Sequence, residues 1–269
     1  MRVAVVGHVE WIEFIRVDHV PTAGEIIHAG ETWTEAAGGG AVAAVQLARL
    51  AGTSTLFTAI GDDELGRRVV PELERLGVVV HAAVRSDPQR RGLTYVDAAG
   101  ERTITVIGER LGPRRSDDLP WEELAGMDGV YFVSGDAASV RAAREARVLV
   151  ATARSLPTLA EAGVELDALV RSRNDEGELY RPGDLEPPPR ADVATSGPLG
   201  GTYTIAGGAP AHFQAAAAPG PLQDTYGAGD SFAAGLTYGL AEGLGMDKAI
   251  ALAARSGAAA LSRRGAHGA

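Results

Sequence analysis

The chain has 269 residues and a formal net charge of −10, and it contains no cysteine. That length suits one large domain, or a domain with a small appendage. The acidic balance argues against nucleic acid as the main partner, because a phosphate backbone needs a basic face. The lack of cysteine excludes disulfides and zinc–thiolate sites. No apolar run reaches the length of a membrane span, and a strand-like run stands where a signal peptide would be. We therefore expect a cytoplasmic protein without a membrane partner.

The elements predicted along the chain alternate between strand and helix. The apolar run Val3–Val6 ends in glycine, which is typical of a central strand in a parallel sheet. Alternation at this spacing predicts a parallel sheet with helices on its faces. The predicted strands are 55–60, 78–84, 130–134, 148–151, 192–195 and 202–206, and the predicted helices are 38–52, 66–76, 139–146 and 248–261. The proline-rich stretch 181–190 is predicted to be a loop.

Two further segments have the pattern of a different kind of strand. Residues 25–35 and 93–107 alternate apolar and polar side chains, as half-buried antiparallel strands do. The stretch from Asp97 to Gly100 can supply a hairpin turn inside the second segment. We predict that the two segments form a small β-appendage, one face of which covers another part of the protein.

The most informative stretch opens the predicted helix near residue 232. Two glycines, Gly227 and Gly229, flank Ala228, and Asp230 follows at once. A glycine turn at a helix start leaves several backbone N–H groups without intrahelical partners, and they lie at the positive end of the helix dipole. Such a turn can hold an anion. A carboxylate beside it could accept a proton from an attacking hydroxyl group.

The longer run D-T-Y-G-A-G-D-S-F, residues 224–232, resembles the C-terminal signature of the ribokinase-like (PfkB) family of sugar and nucleoside kinases. The resemblance implies an α/β fold: one three-layer α/β/α domain over residues 1–269, with a central, mostly parallel sheet and a small β-lid. It implies a kinase that uses ATP and Mg²⁺ to phosphorylate a hydroxyl group of a small sugar. Asp230 would be the general base, Gly227, Ala228 and Gly229 the anion hole, and Thr225 a nucleotide contact.

The N-terminal part of the chain, where the family binds its acceptor, also resembles the family, but it differs from the family pattern at several positions. Gly38, Gly39 and Gly40 before a helix resemble the family's N-terminal signature, but Val42 stands where the family usually has a sugar-binding asparagine. The family's early aspartate is also missing. Glu13 or Glu10 could replace it, since a carboxylate accepts two hydrogen bonds, although both could equally belong to a solvated acidic loop. Gly38, Gly39, Val42 and Glu13 are therefore the candidate acceptor contacts.

The predicted nucleotide side rests on two motifs. Thr195, Gly197 and Gly200 match the family's T-x-G-x-x-G, whose backbone lies along the nucleotide phosphates, and small residues permit that approach. Asn174 opens the family's N-x-x-E motif for Mg²⁺, but the glutamate position holds Gly177. Glu176 or Glu178 could serve instead, because Mg²⁺ needs oxygen ligands, and Glu176 is the candidate metal ligand.

Alternative functions stay open at this point. The acceptor could be a nucleoside or a sugar phosphate, and a phosphate would need basic residues, for which Arg90, Arg91 and Arg102 are candidates. The departures at Val42 and Gly177 would also suit a sensor that binds sugar or nucleotide without turnover. The sequence lacks a P-loop and a dinucleotide-binding fingerprint. The expected partner is a small sugar or nucleoside, and a homodimer through the β-lid is possible in this family.

Overall fold

The structure is a computed structural model that describes residues 1–268. The strands are β1 Val3–Val6, β2 Glu10–Arg16, β3 Glu31–Ala37, β4 Ser54–Gly61, β5 Val78–Arg85, β6 Arg91–Val96, β7 Arg102–Ile107, β8 Gly129–Phe132, β9 Leu149–Thr152, β10 Ala168–Ser172, β11 Ala191–Thr195, β12 Gly201–Ile205 and β13 Ala211–Phe213. The α-helices are α1 Gly38–Ala51, α2 Glu64–Arg75, α3 Ala137–Ala143, α4 Leu156–Ala162, α5 Ala228–Ala241 and α6 Met246–Ala260.

The central sheet has nine strands in the order β13-β12-β11-β10-β9-β8-β1-β4-β5. The strands from β11 to β5 run parallel, whereas β12 is antiparallel to β11 and β13 to β12. The carboxyl ends of parallel strands meet at one edge of a sheet, and open α/β sheets bind their ligands there. The loops that follow β1, β8, β9, β10 and β11 therefore converge on one side of the molecule.

Helices cover both faces of this sheet, and the alternation along β1 decides which side chains meet them. Val5 packs in one apolar cluster with Val45 of α1 and Leu236 of α5. Its neighbour Val6 packs in another cluster, on the opposite face, with Val140 of α3. The predicted three-layer α/β/α fold with a mostly parallel sheet is therefore confirmed. No helix within residues 1–268 has the length and apolarity needed to cross a membrane.

A second sheet of four strands, in the order β3-β2-β6-β7, forms the lid. The hairpin predicted in 93–107 is confirmed as β6 and β7. In the other predicted segment the strand starts only at Glu31, so the expectation of a strand from residue 25 is wrong for its first part. The acidic stretch after Gly7 is strand β2, not a loop, and it pairs with both β3 and β6. Its apolar side chains Ile12 and Phe14 are fully buried, and this burial outweighs the neighbouring charges.

Candidate active site

The glycine turn predicted to bind an anion lies at the start of α5. Gly227 has a φ of +71°, in the left-handed region that glycine adopts without steric cost, and no side chain caps the helix after it. A side chain at Gly227 would also collide with Val42, at 2.7 Å from its Cγ1. Gly229 is exposed, and a methyl group there would have no protein atom within 4 Å. The first turn of α5 therefore has open space beside Gly229 and N–H groups that no side chain caps, as an anion site requires.

Asp230 lies in the first turn of α5, against the start of α1. A methyl group at Gly39 would lie 2.9 Å from Oδ1 of Asp230, so only glycine permits this approach. Part of Asp230 stays accessible, but its carboxyl group is enclosed, and this burial raises its pKa to about 6. The negative charges of Glu178 and Glu10 raise that pKa further, while Arg102 and Arg154 oppose them. At neutral pH the carboxylate is ionised and more basic than an exposed aspartate.

The two glycine-led helices are joined by one tyrosine. The hydroxyl group of Tyr226 accepts a hydrogen bond from the N–H of Gly38 at 3.1 Å, and its ring packs edge-on against Phe14 of the lid, with ring centroids 5.1 Å apart. Gly38 has a φ of +85°, and a side chain there would meet Glu10 at 3.1 Å. Close contacts at glycines thus set the distance between α1, α5 and the lid.

Two of the predicted acceptor contacts, Val42 and Glu13, are not part of the group that Glu10, Gly38, Gly39 and Asp230 form. Val42 is 2% exposed and packs behind the Gly227 turn in an apolar cluster with Ile12 and Phe14. Glu13 is exposed, and strand alternation places it on the face of β2 opposite to Ile12 and Phe14. Gly38 and Gly39, by contrast, lie beside Glu10 and Asp230.

Glu10 is the acidic residue that faces the body from β2. It is 7% exposed, and its Oε1 lies 2.9 Å from Nε of Arg90, a charge contact without the angle of a hydrogen bond. Burial raises the pKa of Glu10, and the positive charges of Arg90 and Arg110 oppose this effect. His8 lies 3.6 Å from Glu10 and shares a hydrogen bond of 3.0 Å with Ser134. Burial lowers the pKa of His8 to about 3, so its ring is neutral.

A cavity of about 570 Å³ opens beside these residues and is rich in arginine. Arg85, Arg110, Arg114 and Arg154 line it, together with Ser134. Arg85 is neutralised by both carboxylate oxygens of its ion-pair partner Asp117, at 2.8 and 2.7 Å. Arg154 pairs with Asp175 and Glu178. Arg110 makes no hydrogen bond or ion pair within residues 1–268. Burial lowers its pKa, the charges of Arg90 and Arg154 lower it further, and the charge of Glu10 opposes them. Asp87, Glu109 and Asp136 also line the cavity, so its wall carries both charges, and Arg110 lies in it without an ion pair to any described residue.

Apart from Thr225, the residues predicted to contact the nucleotide lie at the ends of β10 and β11 and in the loops that follow these strands. A second cavity, of about 560 Å³, is lined by residues 171–176 with Glu178 and Leu179. Asn174 lies in its wall, and Thr195 ends the adjacent strand β11, opposite Ser172. Gly197 and Gly200 both have positive φ. A side chain at Gly200 would strike the backbone, at 2.1 Å from the carbonyl oxygen of Phe213, whereas Gly197 is open.

The loop after β10 orients a different glutamate from the one predicted. Glu176 is exposed, whereas Glu178 accepts hydrogen bonds from the N–H of Ser172 at 2.6 Å and from Arg154 at 3.0 Å. The negative charge of Glu178 contributes to the raised pKa of Asp230. Across residues 1–268 no three histidine, aspartate or glutamate side chains come together as a metal site.

Sequence reasoning did not single out several residues of this region. His8, Ser134, Arg110 and Arg154 belong to no motif. Three of these residues share one signal, since His8 follows β1, Ser134 follows β8, and Arg154 follows β9. Polar residues directly after parallel strands gather at one sheet edge. Arg110 follows the lid hairpin and carries no comparable signal.

Comparisons with known proteins place the chain among sugar kinases. The family model described as pfkB family carbohydrate kinase matches residues 1–162 and 193–269, and it leaves out the segment with Asn174 and Glu176. An ATP-dependent ribose-1-phosphate kinase of Halopiger xanaduensis is 30% identical over 299 residues, covering 100% of this chain and 95% of that protein. A ribokinase of Dictyostelium discoideum is 31% identical over 109 residues, covering 40% of this chain and 34% of that protein. The ribokinase structure from Thermotoga maritima superposes with a TM-score of 0.78 at 22% identity, covering 99% and 94% of the two chains.

Proposed function

The chain belongs to the pfkB family of carbohydrate kinases, and from that premise we propose that it transfers the γ-phosphoryl group of ATP to a hydroxyl group of a sugar that already carries a phosphate. One observation carries the transfer step: the enclosed carboxylate of Asp230 lies in the first turn of the uncapped helix α5. A base and an anion site are thus adjacent, which phosphoryl transfer requires.

In the proposed reaction Asp230 takes the proton of the acceptor hydroxyl group. The acceptor oxygen forms a bond to the γ-phosphorus, and the bond from that phosphorus to the bridging oxygen breaks, releasing ADP. The N–H groups of Gly227, Ala228 and Gly229 are aimed at the charge on the transferring group, where fixed donors stabilise a transition state most. Glu10 accepts a hydrogen bond from another acceptor hydroxyl group. The lid keeps water, a competing acceptor, away from the phosphoryl group.

The nucleotide is proposed to lie along Thr195, Gly197, Gly200 and Asn174, which face the same sheet edge. Thr225 belongs to this set because its Oγ1 is buried without a hydrogen-bond partner within residues 1–268. A buried hydroxyl group without a partner is costly, so it fits a group that a ligand satisfies.

Mg²⁺ fits the carboxylates on this side. Glu178 raises the pKa of Asp230 through the repulsion of two negative charges, which a divalent cation nearby would relieve. Mg²⁺ commonly takes one or two protein carboxylates, with phosphates and waters as its other ligands, so the lack of a three-residue cluster in 1–268 is compatible with it. We assign Glu178 as the residue that would hold it, in place of the exposed Glu176. The ion would neutralise phosphate charge.

The arginine-lined cavity favours a phosphorylated acceptor over a simple sugar. Arg110 forms no direct ion pair within residues 1–268, although its charge acts on Glu10, and Arg154 joins the cavity to the surroundings of Asp230. Arginine suits a phosphate because its planar donors match the phosphate oxygens. The Halopiger relative is named for a ribose phosphate acceptor, which agrees with this choice. An assay of ADP release with ribose, ribose-1-phosphate and adenosine tests the proposal. ATP binding without ADP release for any acceptor would favour a sensor instead.

Arg110→Gln is expected to raise KM for the phosphorylated acceptor about 10- to 100-fold, the usual effect of losing a hydrogen bond to a charged group. KM for ATP and the activity on unphosphorylated ribose should stay near those of the wild type. Steady-state kinetics with both acceptors measure this, and Arg75→Gln, an exposed arginine at the end of α2, is the matched control. An equal loss with both acceptors would exclude a phosphate contact at Arg110.

The open edge of the lid supports a proposed homodimer. All residues of β7 are exposed, and β7 is the outer strand of its sheet, so its backbone groups on one side have no neighbouring strand. Ile104, Val106 and Ile107 are each about two-fifths exposed. Exposed apolar edge strands pair readily with another chain. Sedimentation velocity would measure a dimer that Ile104→Lys dissociates, and a monomeric wild type at micromolar concentration would rule it out.

A further inference from the structure

The lid touches the residues that lead into the Gly227 turn. A methyl group at Gly100, in the turn between β6 and β7, would lie 3.2 Å from Leu222 and 3.4 Å from the carbonyl oxygen of Gln223. Arg102 is the first residue of β7, and its Nη1 donates a hydrogen bond of 2.5 Å to the carbonyl oxygen of Thr225. The lid is therefore in contact with the body two residues before the turn.

Those contacts converge on a segment that holds the turn in place. Thr225 is followed by Tyr226, whose ring lies 6.0 Å from the guanidinium group of Arg102 and is packed edge-on against Phe14 of β2. The hydroxyl group of Tyr226 accepts a hydrogen bond from the N–H of Gly38. A movement of the lid would act on Thr225 through Arg102 and on Tyr226 through Phe14. Both residues directly precede Gly227.

We propose that Arg102 is a positioning residue: from the lid it holds the segment that leads into the Gly227–Gly229 turn, and so keeps the turn in the arrangement that fast phosphoryl transfer needs. This inference rests on the proposed function. Arg102 fixes the carbonyl group of Thr225 and so the orientation of the peptides that follow. Without this hydrogen bond the turn loses one of its restraints. Misplacement of a catalytic group by about 1 Å can cost about 10²-fold in rate.

The charge of Arg102 acts on the same site. The charged groups that face Asp230 are Glu178 after β10, Glu10 on β2, Arg154 after β9 and Arg102 on β7. Arg102 opposes the two carboxylates and favours the ionised base. The lid therefore contributes a positive charge that favours the ionised base. A residue that served only lid stability would not affect the ionisation of Asp230.

The test compares Arg102→Gln and Arg102→Lys with Glu101→Gln, which removes an exposed charge one position earlier. The single-turnover rate constant of phosphoryl transfer is expected to fall about 10-fold in Arg102→Gln, with the KM values for ATP and acceptor within about twofold of the wild type. In the pH profile of this rate constant, the decline at acidic pH (the acid limb) should move to higher pH in the same variant. Arg102→Lys keeps the charge and a donor, so it should retain the wild-type acid limb and recover most of the rate.

Several outcomes would overturn the inference. A transfer rate and acid limb in Arg102→Gln equal to those of Glu101→Gln would show that Arg102 does not act on the turn. A rise in acceptor KM without a change in transfer rate would make Arg102 an acceptor contact instead. A wild type that transfers phosphate to no acceptor would refute the proposed function and this inference together, whereas an active wild type with a fully active Arg102→Gln refutes only the inference.

Discussion

Asp230→Asn is expected to lower the rate of phosphoryl transfer by about 10²–10⁴-fold, the range that a positioned general base contributes. Asparagine keeps the size of the side chain but cannot accept the proton. The affinity for ATP should be retained, because the backbone N–H groups of the turn are unchanged. A transfer rate measured under single-turnover conditions, together with ATP binding by calorimetry, separates these two effects.

The matched control for this variant is Asp118→Asn, which removes the charge of an exposed aspartate outside the site. It should transfer phosphate at the wild-type rate. Should Asp230→Asn also keep a rate within a few-fold of the wild type, Asp230 would not be the base, and the proton would have to leave by another route.

Gly229→Val is expected to slow transfer by about 10²-fold, close to the effect of losing one donor of an anion hole. The side chain would point into the space where the transferring group is proposed to lie. Because no protein atom lies within 4 Å of a Cβ at this position, the melting temperature should stay within a few degrees of the wild type. Thermal unfolding and transfer kinetics on the same preparation measure both properties.

Gly227→Val provides the contrast. Its φ of +71° and the collision with Val42 at 2.7 Å predict a loss of stability in addition to a loss of rate. If Gly229→Val kept the wild-type rate with ATP, the N–H groups of the turn would not contact the transferring group, and the proposed anion hole would be wrong.

The layout of the fold could be predicted because its signals are local. The continuous apolar run of β1, the glycines before α1 and α5, and the alternation in β6 and β7 each report on their own segment. The side chain of Asp63 also caps α2, accepting a hydrogen bond from the N–H of Gly66, which is a local interaction of the same kind. Strand β2 was missed because its charged residues obscure an alternation that only its pairing with β3 and β6 makes plain.

The arrangement of the site could be predicted only in part, because it depends on which side chains face each other across elements. The sequence indicated Asp230 and its glycines, and it favoured Glu13 as the acidic acceptor contact, whereas the pleat of β2 leaves Glu13 exposed and buries Glu10. The burial of Val42 against Gly227 and the hydrogen bond that orients Glu178 toward Arg154 depend on contacts between segments distant in sequence. Arg110 and Arg154 could not be identified as site residues from the sequence, because only the folded chain brings them to one cavity.

The central claim is that Asp230 is the base of a kinase, and the pH dependence of kcat/KM tests it most directly. This ratio reports the ionisation of the free enzyme. Burial raises the pKa of Asp230 to about 6, and the base is lost as pH falls through that value. An unphosphorylated sugar should serve as acceptor, because a phosphate group also ionises near pH 6. We expect kcat/KM to fall about tenfold per pH unit below about pH 6, and the residual activity of Asp230→Asn to lack this limb. A wild-type profile that stays flat down to pH 5, or a limb that persists in Asp230→Asn, would contradict the claim.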